Sequence, residues 1–181
     1  NLYLDLQRRR EDYIFEGYDR NGAPSEQEVS HAFFNPKFGL FHDLNQSQSI
    51  YVSFAVANKE PNRNDYVENK ADEYPSHEIL YDTEVGYKQS GDRVSLGVNL
   101  YNMKYKNQLV LTGKINEVGA YRRANIDESY RKGIELEATY MFSNKMKWAG
   151  NMTLSENKII NHTEYVDNWD TGGQEKIDYE N

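Results

Sequence analysis

Apolar and polar side chains alternate with a period of two along almost the whole chain. In one such run Val94, Leu96, Val98 and Leu100 fall on one side, and the residues between them are polar or glycine. A helix cannot keep one face apolar at this spacing, whereas a strand does so because its side chains point alternately to opposite faces. We therefore predict an all-β chain of about seven antiparallel strands. The alternating runs are residues 2–7, 34–44, 50–57, 79–88, 93–100, 133–142 and 147–155.

Short and long connections between these runs follow one another in strict alternation. Three are tight and contain the Asn, Ser, Gly and Asp that turns use, namely 45–48, 89–92 and 143–145. Residues 16–32, 58–76 and the stretch from 162 onward are long and polar, and we predict them to be loops. The fifth and sixth strands extend beyond their apolar parts and meet near 116–119. Each then has about 23 residues and spans roughly 75 Å, more than an ordinary globular sheet.

Composition excludes several other classes of protein. The longest unbroken apolar run in the 181 residues is 54–57, whereas a membrane-spanning helix needs about 20 apolar residues. The chain has no cysteine, so it contains neither a disulfide framework nor a thiolate metal site. A net charge of -8 argues against a nucleic-acid partner, because such binding relies on neutralising phosphates. Aromatic residues reach 13%, which argues against a disordered chain.

Two features favour a transmembrane β-barrel over a soluble β-sandwich. One face of every strand is rich in charged and amide groups, while the other keeps large aliphatic and aromatic side chains. Short turns at one end and long loops at the other are typical of such barrels. A barrel must be closed, because lipid offers no hydrogen-bond partner for an unpaired backbone group. Aromatic residues near the strand ends fit interfacial girdles, although ordinary core packing explains them equally well. These residues are Tyr81, Tyr87, Tyr140, Phe142 and Trp148.

Several segments taken together resemble the β-barrel of TonB-dependent outer-membrane receptors. They are FFNPKFGLFHDL, SIYVSFAVANKEPNRNDYV, LGVNLYNMKYKNQLVLTG and SYRKGIELEATYMF. The second contains a Glu-Pro-x-Arg-x-Asp-Tyr motif, here Glu60, Pro61, Arg63, Asp65 and Tyr66. The resemblance covers residues 32–158 and is specific as a combination, because each segment alone is weak evidence.

The resemblance implies that 1–181 is a single segment, a fragment of the barrel wall. Family barrels have about 22 strands, so seven strands form about a third of the wall. The family also has a plug domain and a motif that engages TonB, and nothing in 1–181 matches either. The expected partners are therefore the receptor's own plug domain and remaining strands, a TonB-type energising protein, outer-membrane lipid, and a small-molecule or glycan ligand. The location implied is the bacterial outer membrane, with the tight turns in the periplasm.

We expect two sets of functional residues and no catalysis. Arg63, Asp65 and Tyr66 in one long loop and Trp169 in the last are the candidates for ligand contact. The loop 58–76 has three basic and five acidic residues, and its net charge of -2 disfavours simple electrostatic capture of an anionic siderophore. Five polar residues are expected to face the lumen, where they can contact the plug: Asp82, Glu84, Asn99, Glu135 and Glu137.

Other kinds of site are disfavoured. Paired carboxylates such as Glu135 and Glu137 on a wet strand lack the apolar pocket that acid–base catalysis needs. The four histidines are scattered, without the spacing of a metal site, and no cofactor is implied. The function implied is the import of a scarce nutrient, such as a siderophore, cobalamin or a glycan, with energy relayed by TonB. Two alternatives stay open, a passive porin-type barrel and a soluble all-β carbohydrate-binding module.

Overall fold

The structure is a computed structural model that describes residues 1–18, 24–67, 74–115, 119 and 121–179. Seven strands form one antiparallel sheet in chain order, so the prediction of seven antiparallel strands is confirmed. β1 and β7 are its two edges and do not pair with each other, so the sheet is open. The seven strands are β1 Leu2–Tyr18, β2 Pro24–Asn45, β3 Gln48–Lys59, β4 Glu78–Ser90, β5 Val94–Ile115, β6 Tyr121–Ser143 and β7 Met146–Ile160.

A complete row of apolar side chains crosses all seven strands. The cross-strand register places Leu2, Leu40, Val52, Val85, Leu100, Ile134 and Leu154 side by side. Most of them are exposed, with 68% of Leu2 and 58% of Leu154 accessible to solvent. We call the side of the sheet that carries this row the apolar face and the opposite side the polar face. No second layer of the described residues covers the row.

The prediction of a first long loop over 16–32 is wrong. β1 and β2 remain paired as far as Tyr18 and Pro24, and only residues 19–23 of that stretch lie outside the described part of the chain. The polar stretch carries no apolar period, because both of its faces are hydrophilic. Backbone pairing continues regardless, since the ladder of N–H and C=O groups does not depend on side-chain type.

β5 and β6 confirm the prediction of two exceptionally long strands. They contain 22 and 23 residues and pair from Val94 and Tyr140 to Ile115 and Tyr121. The predicted turn at 116–119 falls mostly outside the described residues. Of the loop predicted at 58–76, residues 68–73 are likewise outside them, and the rest includes a short helix, α1, at Arg63–Val67.

The prediction of a loop from residue 162 onward is also wrong, because this stretch contains a hairpin. β8 at His162–Asn168 and β9 at Gly173–Tyr179 form a separate two-stranded sheet. Asn161 separates β7 from β8. Its φ of 53° is a left-handed conformation that asparagine tolerates better than most residues. Short polar strands with a turn between them show little alternation, so the residue pattern contains no clear signal for them.

The hairpin is attached to the end of β5 through Gln174 and Gly113. The side-chain amide of Gln174 donates a hydrogen bond to the Gly113 carbonyl at 2.8 Å and accepts one from the Ile115 N–H at 3.3 Å. A Cβ atom at Gly113 would overlap the Tyr165 carbonyl, and the φ of Gly113 is +78°. Only glycine therefore suits both the backbone conformation and the close approach.

None of the helices among the described residues is long and apolar enough to cross a membrane.

Candidate functional site: the polar face of the sheet

The middle of the polar face is a hydrogen-bonded group of a tyrosine, an asparagine and two glutamates. The Tyr51 hydroxyl donates to Oδ1 of Asn99 at 3.0 Å. The Asn99 amide donates to Glu84 Oε2 at 3.3 Å and, at 3.5 Å, to Glu135 Oε2. Asn99 therefore holds two carboxylates close together and separates them with its own amide group.

Gly86 makes room for this group. Tyr51 lies opposite Gly86 in the register, and a Cβ atom there would overlap the Tyr51 ring. The ring therefore lies flat across β4 and reaches Asn99 on β5. An aromatic side chain that covers a glycine on the neighbouring strand also helps to fix strand register.

The polar face carries four carboxylates without cations beside them. Within the part of the chain that the structure describes, no lysine, arginine or histidine nitrogen lies within 4.0 Å of the side chains of Asp82, Glu84, Glu135 or Glu137. Oδ1 of Asp82 is also buried and has no hydrogen-bond partner. Buried polar atoms normally have a partner, so this acceptor is suited to a donor from outside the described chain.

The structure places all five polar residues predicted for the lumen on this face. Asp82 and Glu84 on β4, Asn99 on β5, and Glu135 and Glu137 on β6 all point away from the apolar row, as strand parity requires. That the face lines a lumen stays a prediction at this point.

A cluster of rings occupies the polar face at the end with the long connections. The His31 ring stacks on Phe33 with 5.5 Å between centroids, and His77 lies edge-on to both rings. Nε2 of His31 shares a 2.8 Å hydrogen bond with the hydroxyl of Tyr66. We call this group the aromatic cluster, and its members are Tyr13, Phe15, His31, Phe33, Tyr66, Tyr74 and His77.

The aromatic cluster contains two of the three buried apolar side chains among the described residues, Phe33 and Tyr66. Phe33 is 2% exposed and Tyr66 is 3% exposed, whereas the middle of the sheet has exposed side chains on its apolar face. Burial raises the pKa of the Tyr66 phenol, and the neighbouring Tyr13 adds to the effect. Burial also lowers the pKa of His77, with a further contribution from His31. Both side chains are therefore neutral near pH 7.

Short-range hydrogen bonds position helix α1 over this cluster. The N–H of Asn62 donates to Oδ2 of Asp65 at 2.8 Å, and the N–H of Asp65 donates to Oδ1 of Asn62 at 3.1 Å. This reciprocal pair resembles a capping box, which satisfies backbone donors at a helix start. Oδ1 of Asp65 also lies 3.7 Å from a guanidinium nitrogen of Arg123 on β6.

The four residues predicted to contact ligand have different environments. Asp65 and Tyr66 are buried, and Arg63 is exposed. Trp169 is 91% exposed in the turn between β8 and β9. The structure therefore brings Arg63, Asp65 and Tyr66 together on one short helix and places Trp169 on the hairpin.

An open groove of about 560 Å³ lies between β1 and the segment that leads into α1. Arg9, Tyr13 and Phe15 form one side, and Glu60 and Arg63 belong to the other. The guanidinium of Arg9 lies 4.7 Å from the centre of the Phe33 ring. The groove thus offers flat ring surfaces together with three cations, Arg9, Lys59 and Arg63, and one carboxylate, a set suited to planar ligands with polar substituents. Among the described residues there is no group of three His, Asp or Glu side chains that would hold a metal ion.

Sequence reasoning missed the aromatic cluster and this groove. Tyr13 and Phe15 lie on β1, His31 and Phe33 on β2, and Tyr66 on α1, so the cluster depends on pairing across tens of residues. One signal was present in the sequence. Tyr13, Phe15, His31 and Phe33 all occupy odd positions, which the register of β1 and β2 assigns to a single face.

Comparison with known proteins identifies the family. A family model described as TonB dependent receptor-like, beta-barrel, matches residues 1–178. No curated protein matched the chain.

Among solved structures, the FrpB iron transporter from Neisseria meningitidis is similar, with 18% identity and a TM-score of 0.66 over 88% of this chain and 24% of that one. The copper transporter OprC has 15% identity and a TM-score of 0.70 over 87% of this chain and 27% of that one. The siderophore receptor PiuA from Acinetobacter baumannii has 17% identity and a TM-score of 0.66 over 96% of this chain and 25% of that one.

At these identities the likeness shows the fold alone, and the chain spans about a quarter of the length of each of these proteins. The family model, in contrast, covers nearly all of the chain and agrees with the open meander of long strands. The chain therefore belongs to the TonB-dependent receptor-like β-barrel family, and its seven-stranded sheet is a segment of such a barrel wall.

Proposed function

We propose that this chain is part of the wall of a bacterial outer-membrane receptor that imports a scarce nutrient with energy relayed by TonB. The apolar face contacts lipid, and the polar face lines a lumen that the receptor's own plug domain fills. The tight turns lie in the periplasm, and the long connections, α1 and the hairpin β8–β9 lie outside the cell. Siderophores, cobalamin, copper complexes and glycans are the ligand classes to test.

The observation that carries this proposal is the exposed apolar row across all seven strands. Seven large aliphatic side chains in one cross-strand row, facing away from every described part of the chain, are unfavourable in water. In hydrocarbon the same row is favourable, and the alternating polar residues then face an aqueous interior.

The unpaired carboxylates support a contact with the plug. No cationic nitrogen of the described residues lies within 4.0 Å of the carboxylates of Asp82, Glu84, Glu135 or Glu137. One oxygen of Asp82 also has no hydrogen-bond donor. A plug surface with arginine, lysine or amide donors would complete these hydrogen bonds. The ion pairs between plug and wall would be individually weak, because exposed or half-buried charge pairs contribute little. The plug would therefore dock on the wall reversibly.

The end with the long connections supplies the ligand-binding side chains. Arg63 and Trp169 are exposed and would contact ligand directly. Asp65 and Tyr66 are buried and would instead position α1, through Arg123 and His31 respectively. The rings and cations of the groove beside Arg9 suit an aromatic chelator better than a simple anion.

Uptake by the full-length receptor tests the import activity. Cells that carry the receptor and cells that lack it are offered radiolabelled iron as a ferric catecholate, ferric iron as a hydroxamate complex, cobalamin, and copper. We expect uptake of at least one probe that needs both the receptor and TonB. Uptake that persists unchanged without TonB would favour the passive porin alternative. If no probe enters through the receptor, the proposal of nutrient import fails for these ligand classes.

Two adjacent substitutions test which face contacts lipid. Val52 belongs to the apolar row and Ser53 is its neighbour on the polar face, opposite Glu84. Val52→Arg is expected to destabilise the folded barrel by about 2–4 kcal/mol, because an arginine on the lipid face near mid-membrane costs about that much. Ser53→Arg is the matched control and should cost less than about 1 kcal/mol, since its guanidinium lies beside carboxylates. Denaturant unfolding in lipid vesicles measures both, and equal costs would contradict the assignment of the faces.

A further inference from the structure

The hairpin β8–β9 carries half of the net charge of the chain. Residues 162–179 contain five acidic side chains and one basic side chain, so their net charge is -4, while that of the whole chain is -8. Lys176 lies 2.8 Å from Oδ2 of Asp178. No cationic nitrogen of the described residues lies within 4.0 Å of the other four carboxylates. Those four are Glu164, Asp167, Asp170 and Glu175.

One face of the hairpin combines exposed apolar side chains with two of these carboxylates. In the register Glu164 lies opposite Ile177, and Val166 lies opposite Glu175, so acids and aliphatic side chains alternate on both strands. Val166, Ile177 and Tyr179 are all exposed on this face. We call it the outer hairpin face.

The opposite face of the hairpin lies against β5. From that face the Gln174 side chain reaches the Gly113 carbonyl, and the Tyr165 ring lies 5.9 Å from Nζ of Lys114. β8 is the strand that approaches β5, because the Tyr165 carbonyl lies against Gly113. No strand of the described residues pairs with the far edge of β9. The outer hairpin face and the far edge of β9 are therefore both open in the described part of the chain.

The open edge of β9 is suited to the addition of a third strand. A two-stranded sheet is marginally stable in water, and a third strand supplies backbone hydrogen bonds and cross-strand side-chain contacts. Charged side chains on an edge strand disfavour pairing between two copies of one chain, and two of these hairpins would each carry a charge of -4. The same charge attracts a basic strand. Charge thus selects the kind of partner that this edge accepts.

We propose that the hairpin β8–β9 binds a free basic peptide, which pairs in extended form with β9 as a third strand. Backbone groups of β9 would provide the hydrogen bonds, and alternate side chains of the peptide would lie over the outer hairpin face. There its lysine or arginine side chains would lie near Glu175 and Glu164, and its apolar side chains would contact Ile177 and Tyr179. A neutral sugar would need neither the uncompensated carboxylates nor the open backbone edge.

Peptide binding to the full-length receptor in detergent, at physiological ionic strength, tests this inference. β9 has seven residues, so the probe is a fluorescent peptide of about seven residues that contains lysine and leucine. Three further probes are the same peptide with glutamine in place of lysine, the lysine peptide with an N-methylated backbone, and a neutral oligosaccharide.

Two pairs of substitutions separate a local charge effect from a general one. The variant is Glu164→Gln with Glu175→Gln on the outer hairpin face. The matched control is Glu26→Gln with Glu28→Gln, which removes the same charge from exposed positions of β2 at the end with the long connections. Hydrogen exchange in β8 and β9 should be the same in the variant as in the unmodified receptor, which shows that the hairpin remains folded.

The expected result is a roughly 10-fold loss of affinity for the lysine peptide in the variant, because two exposed ion pairs are lost. The control should change the affinity by less than about twofold, since exposed charges more than about 10 Å apart are screened at this ionic strength. Glu164→Asp with Glu175→Asp should keep most of the affinity. The N-methylated peptide should bind at least about 10-fold more weakly, because it has lost backbone donors.

Four outcomes would overturn the inference. They are equal affinity for the glutamine peptide, equal affinity for the N-methylated peptide, an unchanged affinity in the variant, and an equal loss in the control. Displacement of the peptide by the neutral oligosaccharide would also overturn it, because the face would then be a sugar site. The experiment measures binding without import, so its failure leaves the proposed transport function intact. A receptor that binds the peptide but imports none of the nutrient probes loses only that function.

Discussion

The two ends of the sheet are held together in different ways. At the tight-turn end, the side-chain hydrogen bonds of the turns are local, as where the Ser47 N–H donates to Asn45 Oδ1 at 2.8 Å. At the other end, side chains join residues that are far apart in sequence, as where Asn125 contacts the backbone of Ser76. The tight turns therefore set the register by short-range chemistry, while the long connections are arranged by tertiary contacts. Four substitutions or conditions test this difference.

The largest effect is expected at Gly113, where the hairpin β8–β9 meets β5. Gly113→Ala would force a Cβ atom into the Tyr165 carbonyl at a φ of +78°. We expect a loss of about 2–4 kcal/mol in the local stability of the hairpin, from backbone strain and overlap together. Hydrogen exchange of β8 and β9 measures the loss. Gly119→Ala is the control, because its φ is +79° but nothing lies within 4 Å, so it should cost only about 1 kcal/mol.

Asn125 should have the next largest effect. Its amide donates to the Ser76 carbonyl at 2.9 Å and the Asn107 carbonyl at 2.6 Å, and it accepts from the Ser76 N–H at 2.7 Å. Asn125→Ala removes all three bonds and should cost about 2 kcal/mol locally. Asn45→Ala at the opposite end removes two exposed turn bonds and should cost less than about 1 kcal/mol. If the two substitutions destabilise equally, the contrast between the ends is not real.

A substitution at Asp65 is expected to have a smaller effect, confined to the helix α1. Asp65→Asn keeps the size of the side chain but weakens the contact with Arg123 and removes the charge that favours the start of a helix. We expect a loss of about 1 kcal/mol in the stability of α1. Amide exchange at residues 62–67 measures it, and exchange in β3 should not change. Faster exchange throughout β3 and β4 would mean that Asp65 supports the sheet itself.

The smallest effect is expected from pH. The pKa of His77 is lowered by burial and by His31, so the packed arrangement binds a proton less readily than the open one. The packed arrangement is therefore favoured above about pH 6.5, the ordinary histidine value, and weakens as the pH falls below it. The protection factors of the amides at 76–78, which take out the intrinsic pH dependence of exchange, should fall by a few-fold on acidification. His77→Gln should abolish that pH dependence, and an unchanged profile would show that another group is responsible.

The contrast between the ends also explains how much the sequence could predict. Seven strands and the tight turns were predictable because alternation and turn residues are local signals. The continuation of β1 and β2 was not, since neither face of that stretch is apolar and backbone pairing leaves no mark in composition. Strand parity was enough to place Asp82, Glu84, Asn99, Glu135 and Glu137 on one face. The burial of Asp65 and Tyr66 was beyond sequence reasoning, because it depends on Arg123 and His31 on other elements.

The difference between the ends suggests a division of roles within the proposed receptor. Exposed Trp169 lies in the turn of the hairpin β8–β9, whereas the carboxylates near Asn99 lie on continuous strands of the sheet. Binding at Trp169 would change the hairpin and leave the strands of the sheet in place. The wall beneath would keep the geometry that a plug needs in order to dock and release.

The open edges of the sheet have a consequence for the order in which such a barrel assembles. Each of the seven strands pairs with its nearest neighbours in the chain, so the six pairs of strands can form quickly as successive hairpins. A barrel built from such hairpins closes by pairing its first and last strands, which are distant in the polypeptide. Closure of that one seam should therefore limit the rate of barrel maturation.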